Sequence, residues 1–388
     1  MARRVFLHPG LPKTGTTYLQ SLLWANREAL AAQDLLYPGR GPRQHMWASM
    51  VVRDHPGVAN RQPAVATSWD RLLEELAAWP GSALVSHEFF GAATAEQAAK
   101  ALAALGDAEV HLVVTARDVL TVATSYWQEY VKHGFAETDL DRFPPPKEPW
   151  DEWGWPAIDL EGVLRRWSAA LPPEQVHVLA VPGAGAPREA LLHEFAAVLE
   201  VDPSGFTVER ARENGSLGVV EVELLRRIGG RLDGFGSALD RGVWIRSYLS
   251  QGKLVPRAGE RFQPSAERVA ELREAGERAV SFVRDAGFVV HGDLDRLRVP
   301  GQLPPLRHPS SVTTEELLDS AVGTVAELMT DVRTFRRENT ELKKARAAVE
   351  PGPEAREVGN GTSDGASAPF GRRLGEALRR VRREAGDT

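Results

Sequence analysis

The 388-residue chain contains no cysteine, which excludes disulfides, thiolate nucleophiles and cysteine-ligated metals together. It has no apolar run long enough for a signal peptide or a membrane span. Met1 to Arg4 passes directly into a short apolar strand, and a cytoplasmic protein is the expectation. Nor is there an excess of positive charge. Lysine and arginine number 47 against 53 aspartates and glutamates, a net charge of -6, so the chain as a whole offers no electrostatic footprint for nucleic acid, and none is expected as a partner. Any anion site must be local. What is present is 43% hydrophobic and 26% charged residues, a balance that can bury a core, with room for one of roughly 300 residues plus appendages.

Short apolar runs alternate with helical periodicity through the first part of the chain. The pattern predicts strands at Val5 to Leu7, Ala83 to Ser86, Val110 to Thr115 and Val176 to Val181. It predicts helices at Thr16 to Gln33, Ala95 to Ala104, Thr121 to Lys132 and Arg188 to Leu199. Such alternation argues for an α/β fold, a central parallel sheet covered by helices. Two stretches read as irregular. Gly39 to Ser68, with His45, Trp47 and several Pro and Gly, is too long for an ordinary connection and reads as acceptor-side structure. Phe143 to Trp155 carries Trp150, Trp153 and Trp155, which either line a pocket or cap the core.

The strongest local signal is Gly10-Leu-Pro-Lys13-Thr14-Gly15-Thr16-Thr17 between a strand and a helix, where backbone N–H groups and the helix dipole favour an anion. Against the pattern G-x-x-x-x-G-K-[ST], Gly10, Gly15 and Thr17 match, but Thr16 replaces the lysine and the lysine stands at position 13. An ordinary ATPase or GTPase would lack its β/γ-phosphate lysine. The run Pro12-Lys13-Thr14-Gly15-Thr16-Thr17-Tyr18 resembles the 5′-phosphosulfate loop of sulfotransferases that use 3′-phosphoadenosine 5′-phosphosulfate (PAPS).

A second stretch carries the same resemblance. Arg117 follows a predicted strand and Ser125 comes eight residues later, as in the family's 3′-phosphate motif, and a guanidinium fork with a nearby hydroxyl suits a phosphate. A third, Asn214-Gly215-Ser216-Leu217, resembles a late nucleotide-closing segment of many bacterial members, although Ser216 as a plain helix N-cap explains it as well. The late Arg-Lys-Gly phosphate motif of the cytosolic animal enzymes is missing. The resemblance spans roughly residues 4 to 230. It implies a P-loop-like three-layer sandwich and an enzyme that moves a sulfuryl group from PAPS to a hydroxyl or amine of a small-molecule or glycan acceptor.

The resemblance also implies a cation on the transferring group, for which Lys13 is the candidate, and a base just after the next core strand. That place reads Ser86-His87-Glu88 and offers both usual types; His87 is the first choice and Glu88 the second. His45 and His133 are expected at the surface or in a lid, and His8 as packing at the strand end. No metal is expected, because no His, Asp and Glu cluster shows ligand spacing and the resemblance implies metal-free chemistry. The residues leave two other readings open. A P-loop small-molecule kinase would require a lysine at position 16, and a catalytically idle nucleotide-binding adaptor would bind the desulfonated nucleotide without turnover.

The expected organisation is a sulfotransferase domain over residues 1–305, a coiled-coil helix over 313–349, a disordered linker over 350–368 and a basic amphipathic tail over 369–388. Ala321, Val325, Leu328, Val332, Phe335, Asn339 and Leu342 recur at spacings of four and three, with Asn339 at an a position. That seam predicts a homodimer through residues 321–342, or else one amphipathic helix packed on the core. The linker has almost no large apolar residue, and the tail sets Phe370, Leu374, Leu378 and Val381 against six arginines. The tail reads as a contact for an anionic membrane or an acidic partner, or as a solvated end.

Overall fold

The computed structural model describes residues 2–146, 151–183, 185–187, 189–208 and 215–349. The linker, the basic tail and Asn214 therefore lie outside the described residues. The chain divides into two units, Met1–Val325 and Ala326–Thr388.

In the first unit, β1 (Arg4–His8) enters the Gly10-to-Gly15 loop and then α1 (Thr16–Ala25) and α2 (Arg27–Ala31). The single helix expected from Thr16 to Gln33 is broken at Asn26. Its side-chain amide donates to the carbonyls of Leu22 and Thr207 and accepts from Thr207 N, so it pins the break to a distant loop. After β2 (Leu35–Leu36) come α3 (Gln44–Val52), a 3₁₀ turn at Pro56–Val58, α4 (Pro63–Ala66) and α5 (Ser68–Ala78), followed by β3 (Ser82–Ser86). The irregular acceptor loop expected from Gly39 to Ser68 is thus mostly helical. Ala48, Met50, Val65 and Trp69 are buried there, so apolar residues drive the packing where Pro and Gly suggested open loop.

Helix α6 (Ala95–Ala103) follows, started by a Thr94/Gln97 capping box. Then come β4 (Glu109–Ala116), α7 (Val119–Lys132), α8 (Leu160–Ser168), β5 (Val176–Ala180) and α9 (Ala190–Val198). Helix α10 (Val219–Gly229), the short turn α11 (Ala238–Asp240), a π-helical segment Arg241–Leu254, α12 (Ala266–Asp285) and β6 (Val289–His291) complete this unit up to α13 (Thr314–Val349).

The strands form one six-stranded sheet in the order β2-β3-β1-β4-β5-β6, and every adjacent pair is parallel. Alternate residues of each strand point to opposite faces. Val5 and Leu7, Val85, and Leu112 and Val114 bury on one face with Trp167 and Val280, whereas Phe6, Leu84, Val113 and Leu179 pack on the other with Leu19 and Phe195. Each such side chain contributes about 1.5–3 kcal/mol on burial, which fixes the strand register because a slip of one residue would exchange the faces. Connections leave β1 towards β3 on one side, and the chain returns through β4 on the other. The crevice at the carboxyl end of β1 is therefore a topological switch point, the usual ligand position in such sheets.

In the first unit, α13 begins with Leu317 and Thr324 buried; Arg257 donates to the Ser320 hydroxyl at 2.9 Å and to the Thr324 hydroxyl at 3.0 Å. In the second unit, Met329, Val332, Phe335 and Leu342 of the same helix are exposed.

Candidate active site

The loop between β1 and α1 sits at that switch point. Lys13 and Gly15 both adopt left-handed backbone conformations, at φ 66° and 86°, and Gly15 caps α1. The backbone therefore calls for glycine at position 15, and a Cβ there, 2.4 Å from Leu191 Cδ2, would also have to push that side chain aside. The N–H groups of the first turn of α1, from Thr16, have no carbonyl partner within their own helix and face the loop end. Pro12, Thr14 and Thr16 are buried, Lys13, Gly15 and Tyr18 partly so, and Thr17 is exposed. The Thr14 hydroxyl donates to Leu11 O at 2.6 Å and lies 2.8 Å from the Thr115 hydroxyl at the end of β4.

His8 extends this chain of contacts. Its Nε2 is 3.1 Å from the Thr115 hydroxyl and its Nδ1 is 2.8 Å from the Ser86 hydroxyl on β3. Burial drives its pKa down to about 4, with Glu88 opposing and His87 reinforcing the shift, so it is a neutral bridge between three strand ends. It is more than strand-end packing. His45, expected at the surface or in a lid, is buried instead: its Nε2 contacts Pro38 O at 2.7 Å and its Nδ1 accepts from Ser86 N at 3.1 Å. The helical folding of α3 is what carries it inside. His133 is part-buried, with Nδ1 2.9 Å from Glu129 O.

His87 and Glu88 lie at the carboxyl end of β3 and open a 3₁₀ turn. The Glu88 carboxylate accepts from Gln20 Nε2 of α1 at 2.9 Å, and its other close neighbour is His87 Nδ1 at 3.9 Å. Burial raises the Glu88 pKa, but His87, a backbone hydrogen bond, Gln20 and His8 outweigh it and leave it below the ordinary value. His87 is lowered, chiefly by burial. Its Nδ1 accepts from Phe89 N at 3.2 Å, which places the neutral ring's proton on Nε2.

On α7, Ser125, Gln128, Glu129 and Lys132 fall at helical spacing on one face. Glu129, which sequence reasoning passed over, accepts from Lys13 Nζ at 3.2 Å and from Arg246 Nε at 2.8 Å. The face that carries Ser125 thus meets the loop through Glu129. Arg117 lies at the strand-to-helix junction beside Asp118, at 3.8 Å, and lines a small cavity of about 20 Å³ with Leu11, Trp155, Asp159 and Gly276. No described contact joins Arg117 to Ser125. Ser216 is exposed and does not open α10, whose cap is Gly218. Gly218 sits where a Cβ would fall 2.5 Å from Gly259 Cα, so close backbone packing moves the helix start past the serine. The late segment is instead tied to α7, by Leu217 N to Gln128 Oε1 at 3.2 Å and Lys132 Nζ to Gly215 O at 2.8 Å.

Among known proteins, no family profile and no curated protein matches the chain. Of solved structures, the crystal structure of a sulfotransferase from Alicyclobacillus acidocaldarius resembles it at 18% sequence identity and a TM-score of 0.36, over 55% of this chain and 88% of that one.

Proposed function

We propose that the protein is a sulfotransferase that takes a sulfuryl group from PAPS and places it on a hydroxyl of a small-molecule or glycan acceptor. The observation that carries this reading is the bond from Gln20 to Glu88. It holds a carboxylate from the turn after β3 beside α1, about 6 Å along the axis from the Thr16 end proposed as the anion site. A base and an anion site beside one short helix suit the transfer of a group carried on a phosphate.

The donor set supports the ligand. First-turn N–H groups, the exposed Thr17 hydroxyl and Lys13 suit the phosphosulfate, and Arg117 with Ser125 suits the 3′-phosphate. In the step proposed, the acceptor oxygen attacks sulfur in line and the bond from sulfur to the bridging phosphate oxygen breaks. Lys13 meets the negative charge that develops on that oxygen. The acceptor proton passes to Glu88, leaving a sulfate ester and 3′-phosphoadenosine 5′-phosphate. Glu88 is preferred to His87 as base on tautomer grounds. With Nδ1 already accepting from Phe89 N, the His87 ring offers Nε2–H as a donor and keeps no free lone pair for a proton.

Calorimetric titration with 3′-phosphoadenosine 5′-phosphate and with ATP, on the wild type and on Arg117→Ala, tests the reading. The expected result is preference for the 3′-phosphorylated nucleotide in the wild type, lost in the variant. Equal or tighter binding of ATP would replace sulfuryl transfer with the chemistry of a kinase.

A further inference from the structure

Two cations bond one carboxylate and a third acts on its charge from nearby, each from a separate element. Lys13 comes from the loop after β1, Lys132 from the last turn of α7, and Arg246 from the π-helical segment Arg241–Leu254. Glu129 bonds directly to Lys13 and Arg246, and both, with Lys132, hold its pKa down to about 2 against the effect of burial. Lys132 is almost fully buried, yet its ammonium, with three N–H donors, has a single described acceptor, Gly215 O at 2.8 Å. Burial lowers its pKa to about 8, with Glu129 opposing. Among the described residues, Glu129 is the one carboxylate bonded to any of these three positive groups. Lys13 and Arg246 are part-exposed, but a buried ammonium with a single carbonyl acceptor is unusual for a cluster whose only task is to hold a fold, because buried charges are normally paired and fully hydrogen-bonded.

We infer that Lys13, Lys132 and Arg246 form one anion cradle, in which the chain's own Glu129 carboxylate holds the cations until the phosphate or sulfate group of a ligand takes them over. Arg246 and Lys132 are then ligand-positioning residues beyond those of the loop, and Glu129 is an internal competitor that also keeps Lys13 extended towards the site. π-Helical geometry is rare and, as single-turn bulges, frequent at functional sites. Arg241–Leu254 fits that pattern, since Ile245, Leu249 and Leu254 anchor it in the core while Arg246 reaches the cradle. For the identity of the ligand the inference rests on the sulfotransferase reading. The existence of the cradle does not.

Titration calorimetry with inorganic pyrophosphate, on wild type, Glu129→Gln, Arg246→Gln and the double variant, tests it, with melting followed on the same samples. Removing the competitor should tighten pyrophosphate binding about tenfold in Glu129→Gln, and Arg246→Gln should weaken it by a similar factor, with the double variant in between. Unchanged or weaker binding in a folded Glu129→Gln protein would overturn the inference and leave a structural ion pair. Should that variant not fold, Arg246→Gln alone decides, and unchanged affinity there overturns the inference as well. A second series with 3′-phosphoadenosine 5′-phosphate against ATP separates the two readings. A pyrophosphate response without preference for the 3′-phosphorylated nucleotide keeps the cradle and removes the sulfotransferase. That preference with no response to Glu129 does the reverse.

Discussion

His8 and His177 stand on the same parallel sheet, and burial brings both to a pKa of about 4, but their neighbours differ in kind. His8 lies between two hydroxyls that can each donate or accept, Ser86 and Thr115, at the carboxyl ends of the strands. His177 lies between two other imidazoles. His111 Nδ1 is 2.8 Å from His177 Nε2, and His177 Nδ1 is 3.1 Å from His291 Nε2, a row across β4, β5 and β6 that ends on Glu109 and, beyond it, Arg4. Hydroxyls accommodate either tautomer of a neutral ring. Imidazoles facing one another accommodate neutrality far better than charge, because each proton gained repels the next. Both histidines therefore make the fold sensitive to acid, but His8 also braces the site, whereas His177 sits in a row away from it.

The largest effect that would sharpen this contrast belongs to the site end. Glu88→Gln is expected to lower kcat by about 10²- to 10⁴-fold with nucleotide affinity unchanged, whereas His87→Asn should cost less. A larger loss from His87→Asn in a sulfate-transfer assay would overturn the tautomer argument. Next comes His8→Phe, which strands the Ser86 hydroxyl while Thr115 keeps the Thr14 hydroxyl as a partner. At about 1–3 kcal/mol per stranded group, urea unfolding should show a loss of roughly 1–3 kcal/mol. A loss under 1 kcal/mol would mean that the strand ends are held by other means.

The smallest effect concerns the row. The His177 pKa is lowered in the folded state, by burial first and then by His111, His291 and Arg4, with Glu200 opposing. The unfolded chain therefore binds the proton first. This contribution to stability is complete above pH 6.5 and is lost as pH falls towards 4. Within that window His177→Asn should reduce the slope of unfolding free energy against pH by up to about 1.4 kcal/mol per pH unit and leave transfer activity at neutral pH alone. An unchanged slope would break the comparison, since the row would then carry no acid sensitivity of its own.

The loop, the strand ends and the helices beside them were legible in the sequence because each is a local pattern: an apolar run, a glycine-bearing turn, then helical spacing. What escaped was everything settled by distance along the chain. Glu129 is 116 residues from Lys13, and nothing in either neighbourhood announces the pairing. His45 looked like a loop residue because Pro and Gly surround it, while the apolar residues that fold α3 inward read only as scattered hydrophobics. The choice between His87 and Glu88 stayed open for a similar reason. It turns on which ring nitrogen meets a backbone N–H, a matter of local geometry that residue identity does not encode.

The contact of Thr14 with Thr115 spans 101 residues, and that of His8 with Ser86 spans 78. Seen from the side of assembly, the anion loop is made early and finished late. As the chain emerges from its N-terminus, the Gly10-to-Thr17 segment has its complete sequence while two of the strands that brace it do not yet exist, and closing such long loops is the slow, entropically costly part of folding a parallel sheet. A nascent chain that ends before β4 thus carries the whole motif and lacks the site. On the function proposed above, nucleotide becomes a ligand only once the sheet has closed around β1, so the same contacts that shape the loop also time its first encounter with the donor.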